Sequence, residues 1–313
     1  MEILLTVLFF VILLSLCIAI LLSRIFDMAF APKRKAIANF RRVPNAPQYK
    51  KIEDLMLSHI DKLSSKTFEE INITSYDGLK LFGRYYKREK ENVIKIDFHG
   101  YRGHPYRDFC GNSIINDKFG ISSILIDERS HGNSEGKAIC FGIKERYDVV
   151  SWVNYAVCRF GNDVKIILSG VSMGAATVLM ASELELPKNV VGIIADCPYS
   201  SPRAIITRVA QAKNINGKLI FPAVKLSARL FAGIDIDASS PVEAVKHTNI
   251  PILIIHGDDD RYVPHSMGKE VFDACASENK VFFTVPDAGH ALCYLTDPDG
   301  YTSTVKNFLD SIL

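Results

Sequence analysis

Ile166-Ile167-Leu168-Ser169-Gly170-Val171-Ser172-Met173-Gly174-Ala175-Ala176-Thr177-Val178-Leu179-Met180 is the stretch that decides how this chain is read. An apolar run of strand character passes through Gly170-x-Ser172-x-Gly174 into a segment of helix formers. A strand, a sharp turn and a helix around such a serine hold it in a strained backbone conformation and push its Oγ above the sheet edge. Glycine at 170 and 174 leaves room for strand and helix to approach closely. The amide of Met173, at the start of the helix, points to where charge on a reacting oxygen would develop. Ser172 is the candidate nucleophile and Met173 a candidate oxyanion donor.

A serine hydroxyl needs a general base within reach and a carboxylate to orient that base. Around this kind of turn the chain order is Ser, acid, His. Residues 251–255 read as a buried parallel strand, and His256-Gly257-Asp258-Asp259-Asp260 follows in the loop at its carboxyl end. Residues 280–285 read as another short strand, followed by Pro286-Asp287-Ala288-Gly289-His290. His290 is the candidate base, and Gly289 gives the backbone freedom to turn it inward. Asp258, Asp259 and Asp260 compete for the acid position, with Asp196, at the end of the strand 190–195, as a further rival. All of these residues fall on the carboxyl edge of one sheet, where open α/β folds place ligands. His59, His104, His247 and His265 read as structural or exposed.

Two upstream loops complete the pattern. The strand 93–98 runs into His99-Gly100-Tyr101-Arg102-Gly103, and the strand 121–126 runs into Asp127-Glu128-Arg129-Ser130-His131-Gly132-Asn133-Ser134. From residue 93 to 291 the four segments resemble α/β-hydrolase-fold serine hydrolases, above all the monoacylglycerol-lipase-like and serine-aminopeptidase-like group. The resemblance covers nearly all of the chain after about residue 67. It implies that Asp260, three residues before Val263-Pro264, is the acid, and that Asp258 and Asp259 are loop caps or solvated charges. It also implies that the Tyr101 N–H, following His99-Gly100, is the second oxyanion donor. The 127–134 segment is similar to a D-x-R-G-H-G-x-S loop, with Ser130 where glycine is usual. That likeness implies a bracing role and no catalytic one for Asp127 or His131.

The activity implied is hydrolysis of carboxylic esters or thioesters through an acyl-enzyme on Ser172, with neither metal nor organic cofactor. A peptidase on the same three residues is the runner-up, and a binding module that has lost catalysis is a third reading. A small-molecule acyl ester is the expected partner. No nucleic acid is expected, and the oligomeric state is open.

Phe68 onward and Leu79 onward alternate apolar and polar residues about Tyr76-Asp77-Gly78, as in an antiparallel hairpin. Strands at 93–98, 121–126, 164–169, 190–195, 251–255 and 280–285, separated mostly by helical patterns, predict a mostly parallel eight-stranded α/β sheet with helices on both faces. Helices are expected at 143–160 and near 301–313. The stretch at about 199–245 breaks this rhythm with two helical patterns and is expected to form a small cap over Ser172.

Ile3 to Leu22 is twenty residues without a charge. As a helix it would be about 30 Å long, the thickness of a bilayer core. A cleaved signal is the rival, but Glu2 stands where such signals carry Lys or Arg, and Pro32 follows the possible site Ala29-Phe30-Ala31. The expected division is therefore an anchor at 1–23, a basic juxtamembrane linker and helix at 24–66, and a hydrolase domain at 67–313. Between Arg24 and Lys51 lie Arg24, Lys33, Arg34, Lys35, Arg41, Arg42, Lys50 and Lys51 against Asp27 alone. Positive charge on that side predicts a cytoplasmic catalytic domain. The seven cysteines, an odd number without C-x-x-C spacing, read as buried apolar residues in a reducing compartment.

Overall fold

The strands are built from β-branched runs such as Ile252–Gly257 and Val190–Asp196, whose residues are almost all buried. Such runs suit a central position covered on both faces. The computed structural model describes residues 1–33 and 39–313, with only the backbone at Glu91; Arg34 and Lys35 of the basic stretch lie outside the described residues. The strands are β1 (Glu69–Thr74), β2 (Lys80–Tyr86), β3 (Lys90–Phe98), β4 (Ile121–Asp127), β5 (Lys165–Val171), β6 (Val190–Asp196), β7 (Ile252–Gly257) and β8 (Lys280–Val285). They form one eight-stranded sheet in the order β1-β2-β4-β3-β5-β6-β7-β8. The β1–β2 hairpin and the β2–β4 pair are antiparallel, and all other pairs are parallel. The expected strands are thus present, with ends shifted by a few residues.

The longer helices among the described residues are α1 (Glu2–Ala29), α2 (Glu53–Ser64), α3 (Cys110–Phe119), α4 (Glu145–Phe160), α5 (Met173–Ala181), α6 (Pro202–Ala212), α7 (Gly217–Ser227), α8 (His265–Ala274) and α9 (Pro298–Ile312). On one face of the sheet the side chains of α4 and α5, including Trp152, Val178 and Leu179, pack with Ile96, Ile124 and Leu168. On the other, Tyr301, Val305 and Phe308 of α9 pack with Ile167, Ile194 and Leu253.

The order β4-β3-β5 is what locates the site. From β3 the chain crosses one way to β4, and from β5 the other way to β6, so the loops leaving the neighbouring strands β3 and β5 diverge and leave a crevice. Phe98 and Gly170 are register partners at this edge, which sets the His99–Gly103 loop beside the Ser172 turn.

The chain departs from the expected division at its front end. α1 does not stop at residue 23 but continues through Arg24 and Asp27 to Ala29 as one helix of 28 residues. The first twenty residues of α1 are exposed, whereas Leu22 and Ile25, and Phe30 just beyond its end, are buried against the rest of the chain. α1 is long and apolar enough to cross a membrane, and its most apolar window is not buried at all.

The two helical patterns expected within 199–245 are α6 and α7, started by Ser201, whose side chain accepts from Ala204 N, and Asn216, which accepts from Lys218 N and Leu219 N. Their inner residues Ile205, Ile206, Phe221 and Val224 join Ile25, Phe30 and Met173 in one cluster.

Candidate active site

Ser172 stands between β5 and α5 with φ 56° and ψ −112°, a conformation L-residues rarely adopt. The neighbouring glycines make the turn possible. A Cβ on Gly170 would run into the Gly174 backbone, and one on Gly174 into the carbonyl of Phe98. The Ser172 amide donates to Asp196 O at 2.8 Å, which fixes the turn to the end of β6.

The three side chains expected to converge do meet. Ser172 Oγ lies 3.0 Å from His290 Nε2, and His290 Nδ1 lies 2.7 Å from Asp260 Oδ2. With Nδ1–H donating to Asp260, Nε2 is the acceptor that can take the serine proton. The Asp260 Oδ1 atom accepts from the amides of Tyr262 at 2.9 Å and Val263 at 2.8 Å, so the loop before Pro264 clamps the carboxylate. Burial opposes the charge on Asp260, but His290 and His256 outweigh it and hold the carboxyl well below the usual range. Burial likewise opposes charging of His290, and Asp260, by charge and hydrogen bond, wins and raises its pKa above the ordinary imidazole value.

The rival acids go elsewhere. Asp196 accepts from the Tyr301 hydroxyl at 3.1 Å, and burial pushes its carboxyl up to about 6. Asp258 caps Asp287 N at 2.7 Å, and Asp259 pairs with Arg261. Cys197 Sγ, Asp260 and His290 lie within 4.8 Å of one another, a donor set that could attract a metal. Burial pushes the Cys197 thiol well up and keeps it protonated, and the His290 nitrogen on that side already faces Asp260. That chemistry fits a hydrogen-bonded dyad better than a metal site.

The loop carrying Tyr101 lies directly against the serine, since a Cβ on Gly100 would stand 3.4 Å from Ser172 Cβ. Met173 is the first residue of α5, so its amide is one of the N–H groups a helix leaves without an internal partner. Neighbours brace the loop. Gly100 N donates to Asp108 Oδ2 at 2.9 Å, Gly100 O accepts from Gly103 N at 2.8 Å and from the His99 ring at 2.9 Å, and Arg102 N donates to His131 Nε2 at 3.1 Å. Asp127 is held in turn by Arg84 at 2.7 Å, and Arg129 by Asp148 at 2.6 Å and Asp77 at 2.9 Å. Ser130 has φ 68°, the left-handed region that explains glycine at this point of the related loop, and its Oγ donates to Ala138 O.

Reading the sequence alone passes over several residues that support the site. Asp108, paired with Arg107, orients Gly100, and Tyr49 donates its hydroxyl to His290 O at 2.8 Å. Side chains of the His99–Gly103 loop also reach the end of α1. Tyr101 Oη donates to Ala29 O at 2.9 Å, and Arg102 donates to Met28 O at 3.0 Å and Ala31 O at 3.1 Å. A cation at a helix C-terminus is well placed against the helix dipole. A cavity of about 620 Å³ opens above Ser172 and His290. Residues 44–56, including Gln48, Tyr49 and Met56, contribute to its lining, and none of its lining residues among those described belongs to 199–245. The helical insertion packs in one cluster with α1 and with Met173 beside Ser172, while residues 44–56 line this cavity.

A profile of the serine aminopeptidase S33 family matches residues 225–299. The uncharacterized protein YqkD of Bacillus subtilis is 26% identical over 62% of this chain, a match spanning 63% of its own length. The uncharacterized membrane protein YNL320W of Saccharomyces cerevisiae is 25% identical over 80% of this chain and 84% of its own. Among solved structures, the Pyrococcus furiosus esterase Pf2001 superposes with a TM-score of 0.67 at 22% identity, covering 91% of this chain and 98% of that one. The sheet order, the helices on both faces and these likenesses agree on an α/β-hydrolase-fold protein.

Proposed function

We propose that this α/β-hydrolase-fold chain is a serine hydrolase that cleaves esters or thioesters of amphiphilic, lipid-like substrates. The observation that carries the reading is the unbroken path from Ser172 Oγ through both His290 nitrogens to Asp260, at 3.0 and 2.7 Å. Ser172 attacks the acyl carbonyl as His290 Nε2 takes its proton. The Tyr101 and Met173 amides receive the oxyanion, and the imidazolium, held by Asp260, returns the proton to the leaving group. Water activated by the same imidazole then releases the acid from the acyl-enzyme.

Several features support an amphiphilic ester. Apolar wall residues such as Pro44, Pro47 and Met56 line the cavity, α1 is of membrane-spanning length, and YNL320W is a membrane protein by its name. In this reading α1 spans the bilayer, and the basic stretch keeps the catalytic domain in the cytoplasm. The S33 match favours a second reading, an aminopeptidase. Against it, the cavity acids Asp108 and Asp259 are paired with Arg107 and Arg261, leaving neither free to bind a substrate ammonium.

Rates on p-nitrophenyl acyl esters of increasing chain length, compared with aminoacyl anilides, test the assignment. The reading expects ester turnover that rises with chain length and is lost in Ser172→Ala. Faster turnover of the anilides would replace it with the peptidase.

A further inference from the structure

α7 carries an apolar stripe that its own fold leaves uncovered. Phe221, Val224 and Ser227 face inward, whereas Leu219 is 78% exposed, Leu226 44%, and beyond the helix Leu230 61% and Phe231 47%. At 3.6 residues per turn, positions 219, 226 and 230 share one face, and Lys218, Lys225 and Arg229 fall along its border. Exposed apolar side chains on one helical face with basic residues beside them are the pattern of a helix lying in a membrane interface.

The position of this stripe selects its partner. Ser227 Oγ donates to Leu22 O at 2.8 Å, and the rings of Phe231 and Phe26 lie 5.5 Å apart. From 22 to 26 and from 227 to 231 the two helices advance in the same sense. The part of α7 before Ser227, with Leu219 and Leu226, therefore leads back toward the exposed apolar residues of α1, such as Ile18 and Leu21. A surface continuous with a spanning helix is met by the same solvent as that helix.

We propose that the stripe Leu219, Leu226, Leu230 and Phe231 contacts a phospholipid bilayer from its headgroup layer inward, making α7 a second membrane-contacting element beside α1. The proposal rests on reading α1 as a spanning helix. Arg229, 3.6 Å from Asp235 and level with the end of α1, then lies nearest the headgroups, and Leu219 lies deeper beside α1. Because Tyr101 and Arg102 are bonded to the last turn of α1, the oxyanion loop is held close to the lipid surface.

The exposed cysteines among the described residues, Cys17 in α1 and Cys158 in α4, supply internal references. Full-length protein in phosphatidylcholine–phosphatidylglycerol vesicles is labelled with an environment-sensitive fluorophore at Cys17 alone, at Cys158 alone, or at Leu219→Cys or Leu230→Cys with both native sites changed to serine. Nitroxide groups high on the lipid acyl chains are the quencher. A lipid-facing surface brings both labels within reach of such nitroxides, so labels at 219 and 230 are expected to lose about half of their emission or more, with Cys158 unaffected. Quenching at Cys17 with none at 219 or 230 overturns the proposal and leaves the spanning reading of α1 intact. Absence of quenching at Cys17 overturns the spanning reading itself, and the proposal with it. Emission at 219 that is blind to the nitroxide but falls on dilution of the protein assigns the stripe to a second copy, and also overturns the proposal.

Discussion

At Ser172 the backbone holds a φ of 56° that costs of order 1–3 kcal/mol, sustained by the close strand–helix packing around it. Glycine would occupy the turn without that strain, so Ser172→Gly is expected to raise the melting temperature, by about 1 kcal/mol of stability, while abolishing turnover. Ser172→Ala removes the nucleophile and keeps the strain. Its kcat is expected to fall about 10⁶-fold with little change in stability, checked by steady-state rates and thermal melts. His290 must be neutral to accept the serine proton, and Asp260 raises its pKa. The acid limb of kcat/KM should accordingly have its midpoint above the ordinary imidazole value of about 6.5, with activity rising as the pH increases through it. Asp260→Asn removes that support, so a pH–rate series should show the limb moved to lower pH and kcat reduced by about 10⁴-fold.

At the scale of elements, the His99–Gly103 loop and the end of α1 are bonded together beside Ser172. Tyr101→Phe deletes the 2.9 Å bond to Ala29 O yet keeps the Tyr101 N–H, and Arg102→Met deletes both bonds to the end of α1. Each is expected to lower kcat by about tenfold with KM changed less than about twofold, because a misplaced donor weakens only the transition state. Behind the site, Arg129 is the cation that offsets the buried acids Asp148 and Glu145; burial pushes Asp148 up to about 7 even with Arg129 present. Arg129→Ala should cost about 3–5 kcal/mol in urea unfolding, and Asp148→Asn in the same chain should recover part of the loss. What a sequence discloses at this scale follows from range. The Ser172 turn, the His99-Gly100 loop and the spacing of Asp260 before Val263-Pro264 are local patterns, and each is found where those patterns suggest. Tyr49 reaches His290 across 241 positions, and Asp108 caps Gly100 from another element. No periodicity or short motif records such contacts. The end of α1 is illegible for a similar reason: Arg24 and Asp27 look like a boundary, but buried Ile25 and Phe30 carry the helix on into the domain.

For the molecule as a whole, the strand rhythm made the sheet legible, and the strand order then brought β3 next to β5 and left the crevice between their loops. The assignment of a cap to 199–245 was read from a break in that rhythm, which reveals an insertion but not the surface it packs on. In the folded chain α6 and α7 bury their inner faces with α1 and Met173, and residues 44–56 line the cavity. Residues 44–56 are therefore part of the folded unit that holds the candidate site. Everything rests on Ser172 being activated by His290. Peptide mapping by mass spectrometry after treating the full-length protein with a fluorophosphonate addresses that claim most directly. The account predicts a single adduct on Ser172, formed in the wild type and missing in Ser172→Ala. A folded wild type that stays unmodified, or an adduct that persists in Ser172→Ala, would contradict it.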